Sequence, residues 1–212
     1  YTAPGNAGTA QLARNLDIKA DDIEGLAKAA GDKGVDLVVV GPEVPLAAGI
    51  ADRFQNIGIP IFGATKKAAE IESSKAFSKE LMQKYGIPCA RSVTFSQYNE
   101  AQAYLEQQKP PIVIKADGLA AGKGVIIADS LEQAREALSG IMKSKTLGTA
   151  GDRVVIEEFL SGKEMSFFVF TDSRNVGPMV PACDYKRAYD GDLGLNTGGM
   201  GSYSPPQLFT PQ

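Results

Sequence analysis

The chain has 212 residues, of which 43% are hydrophobic and 22% charged, with a net charge of −3 and no histidine. Such a composition suits a folded protein with a real core, carries no basic block for nucleic acid, and holds no apolar run near the roughly 20 residues that a membrane-spanning helix needs. The lack of histidine excludes Ser-His-Asp triads, Cys-His dyads and histidine metal sites together. Chemistry must therefore rest on Lys, Arg, Asp, Glu, backbone amides and bound nucleotide or metal. Cys89 and Cys183 lie far apart and read as two free thiols.

The opening third alternates helix and strand patterns. Tyr1 to Asn6 reads as a strand end entering a loop, so a preceding strand is expected. Asp21 and Asp22 are cap candidates for a helix with Ile23, Leu26, Ala27 and Ala30 on its apolar face, ending near Gly31 to Gly34. Val35 to Val40 is an apolar run that suits a strand buried on both faces of a parallel sheet. A helix from about Leu46 to Asn56 leads to a second such strand, Ile59 to Gly63. Lys66 to Ile71 is a short helix, and Ser73 or Ser74 caps another that Gly86 and Pro88 stop.

The middle section reads as hairpins. Ile112 to Lys115 and Val125 to Ala128 are strands flanking a glycine-rich loop. Ser130-Leu131-Glu132-Gln133 opens a helix that runs to about Met142. Arg153 to Phe159 and Met165 to Thr171 are strands joined by a tight turn, and Val176 to Ala182 is the last strand. The chain stops in Pro-rich sequence, Ser204-Pro205-Pro206 to Gln212, so an incomplete or excised chain is expected at both ends.

Three segments carry candidate chemistry. In Lys115 to Val125, Gly118, Gly122 and Gly124 let backbone N–H groups approach phosphate oxygens, while Lys115 and Lys123 add positive charge. The loop is not a Walker A motif, because a strand and not a helix follows it. A mobile lid over a nucleotide fits, and a flexible surface hairpin with solvated lysines fits equally well. In Val154 to Leu160, an exposed strand backbone could meet an adenine edge, with Glu164 accepting from ribose hydroxyls; an ordinary edge strand with solvated glutamates is the simpler account. In Asn196-Thr197-Gly198-Gly199-Met200-Gly201, small residues point to a backbone that approaches a ligand, with Asp184, Lys186 and Arg187 nearby. Two N-terminal loops, Pro4 to Thr9 and Gly41 to Leu46, are either ligand loops at strand ends or simple turns.

Taken in order, Ala3 to Thr9, Gly41 to Leu46, Ser74 to Phe77, Lys115 to Val125, Val155 to Leu160, and Asn196 to Pro205 resemble the phosphoribosylamine–glycine ligase family of ATP-grasp enzymes. The resemblance covers essentially the whole chain. It implies an α/β fold: a partial parallel-sheet N-terminal (preATP-grasp, Rossmann-like) domain over residues 1–64, then ATP-grasp α+β subdomains. Of these, 65–90 with 164–212 would form part of the core and 91–163 the lid. It further implies that Lys75 and Lys115 contact nucleotide phosphates under a lid containing Asp117, Gly118, Gly122, Lys123 and Gly124. Glu157, Glu158, Phe159 and Leu160 would meet adenine, and Glu164 the ribose. Asp184, Lys186, Asn196, Thr197, Gly198, Gly199 and Met200 would line the substrate side, with Lys186, Asn196, Gly198 and Gly199 nearest the chemistry. Asn6 and Glu43 would face phosphoribosylamine.

The implied reaction belongs to purine biosynthesis. Glycine is activated by ATP, with Mg2+ or Mn2+, to an acyl phosphate that the amine then attacks. The partners implied are small molecules alone, without nucleic acid or membrane, for a cytoplasmic monomer or homodimer. The family's first strand would lie before Tyr1 and its metal-binding Glu and Asn beyond Gln212, so no metal ligand is assigned in this chain and the chain alone is expected to be inactive. Tyr185 and Leu195 stand where His and Pro are expected. Another ATP-grasp carboxylate–amine ligase, or a nucleotide-binding module without catalysis, are the alternatives.

Overall fold

A computed structural model describes residues 1–120, 124–191 and 193–209, with backbone alone at 195 and 196. The chain divides into two compact units, 1–159 and 160–212. Among the described residues no helix is long and apolar enough to cross a membrane.

The first unit opens on a small α/β layer. Asp22 caps α1 (Ile23–Asp32) by accepting a hydrogen bond from the Gly25 N–H at 3.0 Å. Its apolar face, with Ala27 and Ala30, packs against Ile50 and Phe54. Strands β1 (Val38–Val39) and β2 (Ile61–Phe62) pair in parallel, Val38 opposite Ile61. The expected helix from Leu46 to Asn56 is two helices, α2 (Glu43–Ala48) and α3 (Ile50–Asn56). The break is Gly49 at φ 100°, a left-handed conformation that a Cβ disfavours. The apolar run from Val35 to Val40 yields a two-residue strand, and Val39 is 67% exposed. Among the described residues the helices cover one face of this sheet, so the expectation of burial on both faces does not hold here.

Helix α4 (Lys66–Ser73) is capped by Thr65 and α5 (Lys75–Lys84) by Ser74, whose hydroxyl accepts from the Phe77 N–H at 3.1 Å. A four-stranded antiparallel sheet follows, in the order β3 (Ser92–Phe95), β6 (Val154–Glu158), β4 (Ile112–Ala116), β5 (Val125–Ala128). Between these strands run α6 (Tyr98–Leu105), α7 (Leu131–Met142) and a 3-10 turn at Gly148–Asp152. Ser130 caps α7 as its sequence indicates, accepting from the Gln133 N–H. The reading as hairpins omits β3 and α6.

The two-residue period of a strand sorts this sheet into faces. Ile112, Ile114, Ala116, Val154 and Ile156 point toward α6 and α7, where Leu105, Leu138 and Ile141 close a dry core. The alternate positions of the two middle strands are Val113, Lys115, Val155 and Glu157. They belong to the opposite face, where Glu157 meets Lys79 of α5. Strand β6 lies inside the sheet, and its Glu157 is not the solvated glutamate of an edge strand: it is 5% exposed.

The second unit is built of short antiparallel pairs. Strand β7 (Val169–Thr171) pairs with β8 (Val176–Pro178), β9 (Cys183–Asp184) with β12 (Ser202–Tyr203), and β10 (Arg187–Tyr189) with β11 (Leu193–Asn196). A bridge between Ser166 and Ala182 prolongs the first pair. Cys89 and Cys183 are both free.

The packing makes a direct test. Leu138 is fully buried and Ile127, on edge strand β5, is 42% exposed. Leu138→Ala should therefore cost about 3 kcal/mol of unfolding free energy and Ile127→Ala less than about 1 kcal/mol, as read from denaturant titration.

Candidate functional site

The site in the first unit begins with a buried carboxylate. Asp117, at the end of β4, is 6% exposed and meets three hydrogen-bond donors. Its Oδ1 accepts from the Ser74 hydroxyl at 3.1 Å and the Ala76 N–H at 2.7 Å, its Oδ2 accepts from Arg153 Nε at 2.9 Å, and Arg153 Nη2 lies 2.6 Å from Oδ2 as its ion-pair partner. Arg153 Nη2 also donates to Ser74 Oγ at 3.2 Å. Backbone bonds reinforce the junction: the Asp117 N–H donates to the Arg153 carbonyl and the Lys75 N–H to the Asp117 carbonyl. Gly118 sits where a Cβ would come within 3.0 Å of Ala150, so the 3-10 turn can approach this closely because residue 118 lacks a side chain.

This junction aims Lys75 into a cleft of about 590 Å³ lined by Lys79, Lys115, Glu43, Glu72 and Glu157. Lys75 Nζ donates to the carbonyl of Gly118 at 3.1 Å. Burial pulls its pKa below that of an ordinary lysine and Lys115 repels it further, while Asp117, Glu72 and Glu157 oppose the shift. Lys115 Nζ lies 2.7 Å from Glu157 Oε2. Lys79, one helical turn beyond Lys75, lies 3.2 Å from Glu157 Oε1 and donates to the Ala90 carbonyl at 3.1 Å. Its ammonium is off the hydrogen-bonding line of Oε1. Among the described residues that buried oxygen receives charge from Lys79 but no hydrogen bond.

Lys75, Lys115 and Glu157 thus meet in one cleft, and Glu43 lines it as well. The carboxylate of Asp117 faces protein donors. Gly118 and Gly124 flank the β4–β5 turn, where the Ala116 N–H donates to the Gly124 carbonyl at 2.8 Å; Gly122 and Lys123 lie outside the described residues. Glu158 points elsewhere, bound to Arg91 through Nε at 2.8 Å, and Phe159 and Leu160 are exposed. Asn6 is exposed and caps its own loop: its Oδ1 accepts from the N–H groups of Gly8 and Thr9 at 2.8 and 2.9 Å. Asn15, absent from the sequence reading, holds the same loop by donating to the Asn6 carbonyl at 2.8 Å. Lys79 could have been found from its spacing to Lys75, whereas Arg153 has no local signal.

In the second unit, a cavity of about 780 Å³ is lined by Glu164, Asp184, Tyr185, Lys186, Arg187 and Met200, among others. Lys186 bonds Glu164 and lies 3.9 Å from Asp184. The Glu164 hydrogen bond, aided by both carboxylates, raises its pKa against a smaller effect of burial. Thr197 braces the glycine segment: its hydroxyl donates to the Lys186 carbonyl at 2.9 Å and accepts from the Gly199 N–H at 3.0 Å. The Met200 N–H donates to the Tyr185 carbonyl at 2.7 Å, and Gly198 is exposed. Asn196 ends β11 opposite Arg187.

Residues 1–72 match the N domain of phosphoribosylglycinamide synthetase, and residues 73–212 its ATP-grasp (A) domain. Over its full length the chain is 50% identical to phosphoribosylamine–glycine ligase of Vibrio vulnificus strain YJ016 and 53% identical to that of Ralstonia nicotianae, covering 50% of each. The crystal structure of phosphoribosylamine–glycine ligase from Thermotoga maritima aligns with a TM-score of 0.77 at 37% identity, covering 94% of this chain and 47% of that one. The chain spans about half the length of the relatives it matches.

Two measurements check the electrostatics. Glu157→Gln leaves Lys115 and Lys79 without their shared counter-charge and should lower stability by about 3 kcal/mol, a loss that added salt barely reduces because the group is buried. Competitive acetylation across the alkaline range, read by peptide mass spectrometry, should find Lys75 half-reactive at a lower pH than a lysine in an unstructured peptide. The sign follows from burial, which disfavours the ammonium form.

Proposed function

Because the chain belongs to the phosphoribosylglycinamide synthetase family, we propose that it supplies nucleotide-binding machinery for joining glycine to 5-phosphoribosylamine, with ATP converted to ADP and phosphate. The observation that carries this reading is the meeting of Lys75 and Lys115, forty residues apart in sequence, in one cleft beside a buried glutamate. A triphosphate is the ligand that such a pair of ammonium groups suits best. Each ammonium about 4 Å from a phosphate charge contributes roughly 4 kcal/mol at an effective dielectric near 20. The open lone pair of Glu157 Oε1 suits the amino group of an adenine, and the glycine-containing β4–β5 turn suits a lid. Residues 91–163 serve as that lid subdomain, with 1–64 as the N-terminal part and 65–90 with 164–212 as the core.

In this reading a glycine carboxylate oxygen attacks the γ-phosphorus, the bond to the bridging oxygen breaks, and ADP leaves. The amine of phosphoribosylamine then attacks the acyl carbon of glycyl phosphate, phosphate departs, and the nitrogen loses its proton. No protein nucleophile is required, in keeping with a chain that lacks histidine. The lysines hold charge and set geometry, the two largest contributions available to such a transfer. Lys186, Asn196, Gly198 and Gly199 serve the acceptor side. The N–H groups of Gly199 and Met200 are already engaged by Thr197 and Tyr185, so a ligand that uses them must displace those partners. Mg2+ or Mn2+ would enter with the nucleotide; among the described residues no group of three His, Cys, Asp or Glu side chains forms a cage for it. The setting is the cytoplasm, and the partners are small molecules of purine synthesis.

Calorimetry with ADP tests the nucleotide step: Lys115→Met should weaken binding by at least about tenfold, and unchanged affinity in a folded variant would reject it. A chimera in which these residues replace the matching half of the Ralstonia nicotianae ligase tests the reaction. ADP release should require glycine and phosphoribosylamine together, and release with another acid and without glycine would exclude glycine as the substrate.

A further inference from the structure

The carboxylate of Asp117 sits in the segment proposed to cover nucleotide, and its surroundings give it a different task. Both oxygens are engaged by protein donors from two distant segments, residues 74–76 and Arg153, and the group is 6% exposed. The Ser74 hydroxyl is equally committed: it donates to Asp117 and accepts from the Phe77 N–H and Arg153 Nη2, which uses its one donor and two acceptor positions. A ligand could reach Asp117 only by breaking this set.

The same junction carries Lys75. Its N–H donates to the Asp117 carbonyl, and its Nζ donates to the carbonyls of Asp117 and Gly118 at 3.4 and 3.1 Å. Helix α5 therefore begins on the end of β4, and Arg153, one residue before β6, fastens that beginning from the other side. Lys115 is two residues from Asp117 on β4, so one clamp sets both lysines of the cleft. We infer that Ser74, Asp117 and Arg153 are positioning residues that fix Lys75 relative to Lys115, and that Asp117 acts on a bound nucleotide through this clamp and not as its ligand. The consequence for nucleotide rests on the proposed function above; the clamp itself does not.

Arg153 offers the cleanest test, since its side chain is 45% exposed at one end and can be shortened without opening the core. In the 212-residue chain, Arg153→Met should raise the pH at which Lys75 becomes half-reactive in acetylation. Three effects agree in sign: a cation is lost, Asp117 loses its counter-charge, and Lys75 gains water. Arg153→Lys should return the native value. ADP affinity should fall about tenfold in Arg153→Met, yet less than about twofold when the same change is made in Lys75→Met, because both substitutions then act through one group.

A folded Arg153→Met chain with native Lys75 titration overturns the clamp, and additive losses of ADP affinity overturn its action through Lys75. Should Arg153→Met fail to fold, Ser74→Ala carries the test. It should move Lys75 in the same direction by less, and no movement counts against the clamp. If the titration behaves as stated while the native chain binds no ADP, the clamp stands and the nucleotide reading falls.

Discussion

Three ammonium groups, those of Lys75, Lys79 and Lys115, share one cleft, and like charges held this close repel strongly wherever water is partly excluded. Two buried carboxylates make the arrangement tenable. Glu157 lies between Lys115 and Lys79, at 2.7 and 3.2 Å. Asp117 acts at the other end, where its backbone and side chain fix the first turn of α5 and with it Lys75. The depressed pKa of Lys75 records chiefly the burial of its ammonium, and an anionic ligand would favour the charged form.

The sheet explains why these residues converge. Antiparallel pairing of β4 with β6 puts Lys115 opposite Val155, and the strand period puts Glu157 on the same face one step along. Long side chains bridge that diagonal. The other face of the same strands is packed by α6 and α7, so the middle strands serve as rigid mounts and the charged face is free to form the cleft wall.

Much of this was legible in the sequence where the signal is local. Caps at Asp22, Ser74 and Ser130 begin the helices they were expected to begin, because a side-chain acceptor for an orphan N–H is a property of four residues. The paired strands around the glycine-rich loop were legible for the same reason. What escaped depends on distant pairing. Glu157 reads as a solvated glutamate until β6 is known to lie inside the sheet. That Asp117 is a buried, paired carboxylate is not legible until Arg153, 36 positions away, is found beside it. Gly49 looks like one more small residue in a helix, and its left-handed conformation splits that helix in two. The short segment Ser92–Phe95 carries too few apolar positions to announce β3, which is held by its neighbour β6.

A crystal structure of this chain with a non-hydrolysable ATP analogue examines the central claim most directly. The account predicts phosphate oxygens within hydrogen-bonding distance of both Lys75 Nζ and Lys115 Nζ, a base amino group against Glu157 Oε1, and the Asp117–Arg153 pair intact beneath them. An analogue bound away from that cleft, or bound there with Asp117 turned out to meet it, would contradict the account.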